Sequence, residues 1–281
     1  MTIAPRSVIA VFAMLFAFAV SAAFAGEAAS DGQQQTITPE QAFAIMTREA
    51  NNGNPAAMLS LGSLHERGVG TARNFVKAFE WYKKAADAGL AEAYYNVGVC
   101  YETGIGNGGD ARRAFENFEK SAELGLPQGY YKLATLYLSG LGVEKNESWG
   151  VELLKRAVDA GHMIAANDLG LVHHAGMYGQ RINEELAFDL FTRAAELGNA
   201  EAMKNIAVFY RDGIGRTADP REELKWYILS RRAGFPAGAI DEAIRRIGDE
   251  IGPEQARQAE AEAETWIADF QKRREAAAAQ Q

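Results

Sequence analysis

Apolar and small residues recur at i, i+3, i+4 and i+7 in five short stretches of this chain. Met58, Leu61, Gly62 and His65 are followed by Tyr94, Val97, Gly98 and Tyr101, then by Tyr130, Leu133, Ala134 and Tyr137. The fourth set is Ala166, Leu169, Gly170 and His173, and the fifth Met203, Ile206, Ala207 and Tyr210. This spacing places each set on one face of an α-helix. A second family of helices alternates with the first. In it, Phe79, Trp81, Tyr82, Ala85 and Ala86 correspond to Phe115, Asn117, Phe118, Ser121 and Ala122, to Phe188, Leu190, Phe191, Ala194 and Ala195, and to Leu224, Trp226, Tyr227, Ser230 and Arg231.

Glycine punctuates both families. One series falls at Gly68, Gly104, Gly140, Gly176 and Gly213, and the other at Gly89, Gly125, Gly161, Gly198 and Gly234, with spacings of 36 or 37 residues. Self-similarity at such a period identifies an all-α solenoid of stacked two-helix units. Before the first unit, Thr38-Pro39-Glu40-Gln41 reads as a helix start with a capping box. The helix it opens, about 39–51, matches only the second half of a unit and ends at Gly53, as expected of a terminal cap. After Gly234 the period fails. Residues 237–248 and 253–275 read as two capping helices, the second opening at Gly252-Pro253-Glu254 and carrying Trp266, Ile267 and Phe270 on its apolar side.

Charge and the chain start narrow the setting. The 281 residues hold 29 Lys and Arg against 37 Asp and Glu, a formal charge of −8, without a basic cluster; nucleic acid and anionic membrane surfaces are disfavoured as partners. Arg6, the apolar run Val8 to Val20 and Ala23-Phe24-Ala25 read as a secretory signal, too short for a comfortable span, with an uncleaved anchor as the alternative. Its removal leaves 28 − 37 = −9. The expected location is periplasmic, or secreted. Cys100 is the sole cysteine, so no intramolecular disulfide forms.

Candidate chemistry is thin. Gly104-Ile-Gly-Asn-Gly-Gly109 matches a dinucleotide fingerprint, but a helix precedes it and the same register holds Gly68-Val-Gly70, Gly140-Leu-Gly142 and Gly213-Ile-Gly215; it reads as an inter-helix turn. His65 and His173 stand where other units have Tyr, as core residues. His174 points to a different face from His173, and the four histidines give no zinc spacing. Cys100 aligns with Leu64, Leu136, Val172 and Phe209, an apolar register that favours an inert thiol. No hydrolase or metalloprotease motif is present. The reading is a non-enzymatic chain with no catalytic residue, cofactor or metal.

The units resemble the Sel1-like repeat, a relative of the tetratricopeptide repeat, through Ala93 to Gly106 and Ala78 to Gly89. The resemblance covers about residues 40–236, with local departures at Gly150-Val151 and in the longer turn Gly176-Met-Tyr-Gly179. The resulting organisation is a signal peptide at 1–25, a flexible lead-in at 26–38 and a half-repeat cap at 39–54. Repeats follow at 55–90, 91–126, 127–162, 163–198 and 199–236, then capping helices at 237–275 and a disordered tail at 276–281.

The resemblance implies a right-handed superhelix whose first helices line a concave, protein-binding face. Matched residue by residue, that face comprises Leu59, Ser63 and Glu66; Tyr95, Val99 and Glu102; Tyr131, Thr135 and Leu138; Asn167, Leu171 and His174; and Lys204, Val208 and Arg211. Tyr95 and Tyr131 are the expected anchors, with acid at one end and base at the other; the alternative is that these tyrosines pack between adjacent first helices. A monomeric scaffold or adaptor in the bacterial envelope follows, binding a protein or peptide such as an envelope sensor. A secreted virulence factor with a host-protein partner is the second reading, and an enzyme acting on cell-wall peptides the third.

Overall fold

The computed structural model describes residues 37–279, so the signal and nearly all of the lead-in lie outside the described residues. The described chain is all helical: α1 Pro39–Asn51, α2 Pro55–Arg67, α3 Phe75–Asp87, α4 Ala91–Thr103, α5 Ala111–Glu123, α6 Pro127–Ser139, α7 Glu147–Asp159, α8 Met163–Ala175, α9 Glu184–Glu196, α10 Ala200–Asp212, α11 Pro220–Arg232 and α12 Ala237–Ala278. It divides into two compact units, one ending at Leu126 (α1–α5) and one beginning at Pro127 (α6–α12). No helix among the described residues is long and apolar enough to cross a membrane.

Most helix starts have a local cause in a capping side chain. Thr38 and Gln41 form both arms of a capping box, at 3.3 and 2.9 Å. The second helices of the repeats share a device that the hydrophobic pattern does not reveal. Asn74, Asp110, Asn146, Asn183 and Asp219 are their N-caps, each side-chain oxygen accepting a backbone N–H of the first turn. The first helices end at Gly68, Gly104, Gly176 and Gly213 in the left-handed region, where a side chain would strain the backbone.

Two contacts explain the glycines and aromatics of the repeat. Within a repeat, the ring of Tyr82, Phe118 or Phe191 lies on Gly62, Gly98 or Gly170, where a Cβ would fall 2.5–2.8 Å from ring carbons. These rings are among the most buried groups, so the glycine stabilises by admitting the ring. The third repeat inverts the scheme: Gly150 replaces alanine on the second helix, and Leu138 packs onto it. Between repeats, an aromatic at the start of one second helix meets the next first helix edge to face. The pairs are Phe43–His65 (5.2 Å), Phe79–Tyr101 (5.4 Å) and Phe188–Tyr210 (5.8 Å).

In the second unit, α12 covers α11 where a sixth repeat would otherwise stack. Gly252 breaks it (φ 82°, ψ 166°) and Pro253 opens its second part, which runs on to Ala278 as its alanines favour. Trp266 meets Trp226 edge-on at 6.0 Å and stacks on Phe270 at 5.2 Å. Phe270 in turn reaches the turn at Gly198.

Candidate interaction face

The first helices bury more than one stripe. Besides the expected core face, the register of Leu64 is buried at Leu64, Leu136, Val172 and Phe209, and that of Ala57 at Ala57, Ala93, Gly129, Ala165 and Ala202. What remains for the surface is narrow, and the fifteen candidate residues fall into three groups.

The first group stays accessible. Glu66, Glu102 and Arg211 are exposed; Ser63, Val99, Thr135, Leu171, Lys204 and Val208 are half-buried. Glu66 accepts the Tyr82 hydroxyl at 2.5 Å. Burial, then the Glu66 charge, drives that phenol far above its ordinary range. Arg211 is bound through two nitrogens to Asp212, at 2.7 and 2.8 Å, so its charge is locally balanced. Lys204 lies 5.6 Å from the Phe235 ring. The acids belong to the first unit and the bases to the second.

The second group is half-buried and committed to packing. Leu59 joins the cluster around Ala78, Tyr82 and Val97. Leu138 sits over Gly150. Tyr95 packs at 5.7 Å on Phe118, and burial, with the Glu102 charge second, pushes its phenol up to about 12. His174 Nδ1 lies 2.8 Å from Glu184 Oε2, with its ring 5.2 Å from Phe209.

The third group is a correction. Tyr131 donates its hydroxyl to Asp168 Oδ2 at 2.9 Å and stacks on His162 at 4.6 Å, so it joins the third repeat to the fourth instead of standing as a free anchor. Asn167, expected on the open stripe, is 3% exposed because Asn205 of the next first helix donates to its Oδ1 at 2.9 Å. The register of Asp168 and Asn205 therefore seals polar contacts between neighbouring first helices. Sequence reasoning missed it because these residues are polar; the sign was their recurrence one place after the stripe.

The remaining candidates are structural. His65 and His173 are buried, and burial lowers the pKa of both. Burial, then the Glu66 charge, holds the Cys100 thiol up at about 12, where little thiolate exists. Gly104, Gly106, Gly108 and Gly109 all have positive φ in a turn between two helices. Among the described residues no group of three or more His, Cys, Asp or Glu side chains is placed to hold a metal ion.

Comparison with known proteins agrees with this construction. The Sel1 repeat model matches residues 55–90, 91–126, 127–162, 164–199 and 200–235. The chain belongs to the Sel1 repeat family. Its fold is similar to that of a Sel1 repeat protein from Oxalobacter formigenes, with 29% identity and a TM-score of 0.66 over 80% of this chain and 91% of that one. It is also similar to a protective antigen present in uropathogenic Escherichia coli strains that displays an SLR fold. That match has 23% identity and a TM-score of 0.65, over 82% of this chain and half of that one. Sel1 repeats generally serve as non-enzymatic scaffolds for protein–protein interaction.

Proposed function

We propose that this protein binds a protein or peptide partner through the open stripe of its first helices, acting as an exported adaptor or regulator in the bacterial envelope. The observation that carries the reading is the state of Val99, Leu171 and Val208. They share one register, are apolar and remain half-exposed, and in α8 and α10 the residues on either side of Leu171 and Val208 are buried. Apolar groups held on rigid helices and uncommitted to a core suit recognition. Export rests on residues 1–25, whose charged start, apolar run and Ala-Phe-Ala site have the order of a secretory signal. The partner is then an envelope protein such as a membrane sensor, and the chain acts as a monomer.

The test is a change of chemistry at the open stripe alone. Leu171→Arg and Val208→Arg should abolish partner capture while circular dichroism and melting stay close to native. Undiminished capture by the folded double variant would remove the stripe from the account.

A further inference from the structure

The joints between successive first helices of the second unit are built to one plan from different chemistry. At the fourth-to-fifth joint, Asn167 pairs with Asn205 at 2.9 Å, and Asn199 caps α10 by accepting the Ala202 N–H at 2.8 Å. At the third-to-fourth joint the same three registers hold Tyr131, Asp168 and His162. Tyr131 bonds Asp168 at 2.9 Å, and His162 caps α8 by accepting the Ala165 N–H on Nδ1 at 3.1 Å. The His162 ring also stacks on Tyr131, 4.6 Å between centroids and 21° from parallel. One joint is thus made of amides that do not titrate, and its neighbour of ionisable groups gripping one tyrosine.

We propose that the joint between the third and fourth repeats is an acid-sensitive hinge, at which protonation of His162 unseats the first turn of α8 and releases Tyr131, while the fourth-to-fifth joint stays closed. The cap requires a bare lone pair on Nδ1, and the imidazolium has none. Around this point stand Tyr131 from α6, Asp168 on the histidine's own helix, Glu201 from α10, which bears on Asp168, and the Asp159–Arg193 pair at 3.5 Å before the cap. Arg193 is held in place by Asp159 and by the Val158 carbonyl at 2.7 Å.

The direction follows from linkage. Burial lowers the histidine from its ordinary 6.5 to about 4, so the native joint holds it neutral. Its contribution is complete above about 6.5 and is lost as pH falls towards 4. Asp168 works the other way: burial raises its carboxyl, the bonds from Tyr131 and Asn167 lower it in part, and its protonation favours the folded joint as pH falls. His162 therefore drives the opening and Asp168 tempers it.

The experiment is hydrogen exchange on the full chain at pH 7.5 and 5.0, corrected for intrinsic rates, in the native protein, H162N and D168N. The histidine alone lowers protection roughly tenfold per pH unit below 6.5. Protection at Ala165 should therefore fall several-fold more than at Ala202 in the native protein. It should fall no more at Ala165 than at Ala202 in H162N, whose asparagine copies the cap of the next repeat while Asp168 remains, and more steeply at Ala165 in D168N. NMR titration of the His162 ring in the native protein gives a reading independent of either variant, with a midpoint well below 6.5 expected. A His162 midpoint near 6.5, or the same acid response in native protein and H162N, would overturn the hinge.

Discussion

Gly106 lies against the backbone carbonyl of Phe75, so close that a Cβ at Gly106 would fall 2.5 Å from the carbonyl oxygen. Gly70 meets Pro39 in the same way, whereas a Cβ at Gly215 would meet the Glu184 side chain more loosely, at 3.2 Å. The second glycines of the Gly68-Val-Gly70 and Gly104-Ile-Gly106 turns are thus demanded twice: by their positive φ, and by the start of the preceding second helix. Gly106→Ala should cost about 1–3 kcal/mol, through left-handed strain and overpacking against backbone that cannot turn aside. Chemical denaturation measures it, with Gly108→Ala, which has open space and a similar left-handed φ, isolating the strain component.

The caps of the second helices predict a smaller and more local loss. Asn183 Oδ1 accepts the Leu186 N–H at 3.0 Å. Asn183→Ala should destabilise by about 1 kcal/mol, and Asn183→Asp should restore most of it, as Asp110 and Asp219 cap the same register. Equal melting of the alanine variant and native protein would show that the cap contributes nothing.

Cys100 should behave as an inert thiol. With its pKa held near 12, alkylation by iodoacetamide at pH 7.5 should be roughly a hundredfold or more slower than for a cysteine peptide. Cys100→Val should leave stability within about 1.5 kcal/mol, since its register is apolar elsewhere. Rapid alkylation of the folded protein would contradict its packing.

Glu223 stands where other repeats have Ala78, Ala114, Gly150 and Ala187, and it is 4% exposed. Its Oε1 lies 3.6 Å from Arg246 of α12. Burial raises its carboxyl, and Arg246 and then Arg211 offset this only in part. A carboxyl raised by folding favours the folded state when protonated, so its contribution falls as pH rises through that raised value. Glu223→Gln should therefore melt higher than native protein at pH 7, with the gap closing at pH 4. A lower melting temperature at pH 7 would mean that the Arg246 pair outweighs the cost of burial.

The helices and turns were legible because the repeat states each one five times. Gly68 and its successors mark helix ends that only glycine reaches without strain, and Tyr82, Phe118 and Phe191 mark the rings that need Gly62, Gly98 and Gly170 beneath them. The caps Asn74 to Asp219 were equally periodic but lay outside the hydrophobic pattern. The roles of Tyr131 and Asn167 were not legible from one helix. Each is decided by a residue about one repeat further on, Asp168 or Asn205, and a stripe assigned by register alone cannot distinguish a solvent-facing tyrosine from a joint. The split of the chain after Leu126 left no mark in the periodicity either.

The central claim is that partners contact the open stripe of the first helices. It is tested most directly by placing a photo-crosslinking amino acid, one at a time, at Leu171 and Val208 of the second unit, with Ile182 and Leu197 as exposed apolar controls away from the stripe. Irradiation in the producing cells should give the same discrete adduct from the stripe positions and none from the controls. Adducts from Ile182 or Leu197 alone would contradict the account and move recognition to the turns between helices.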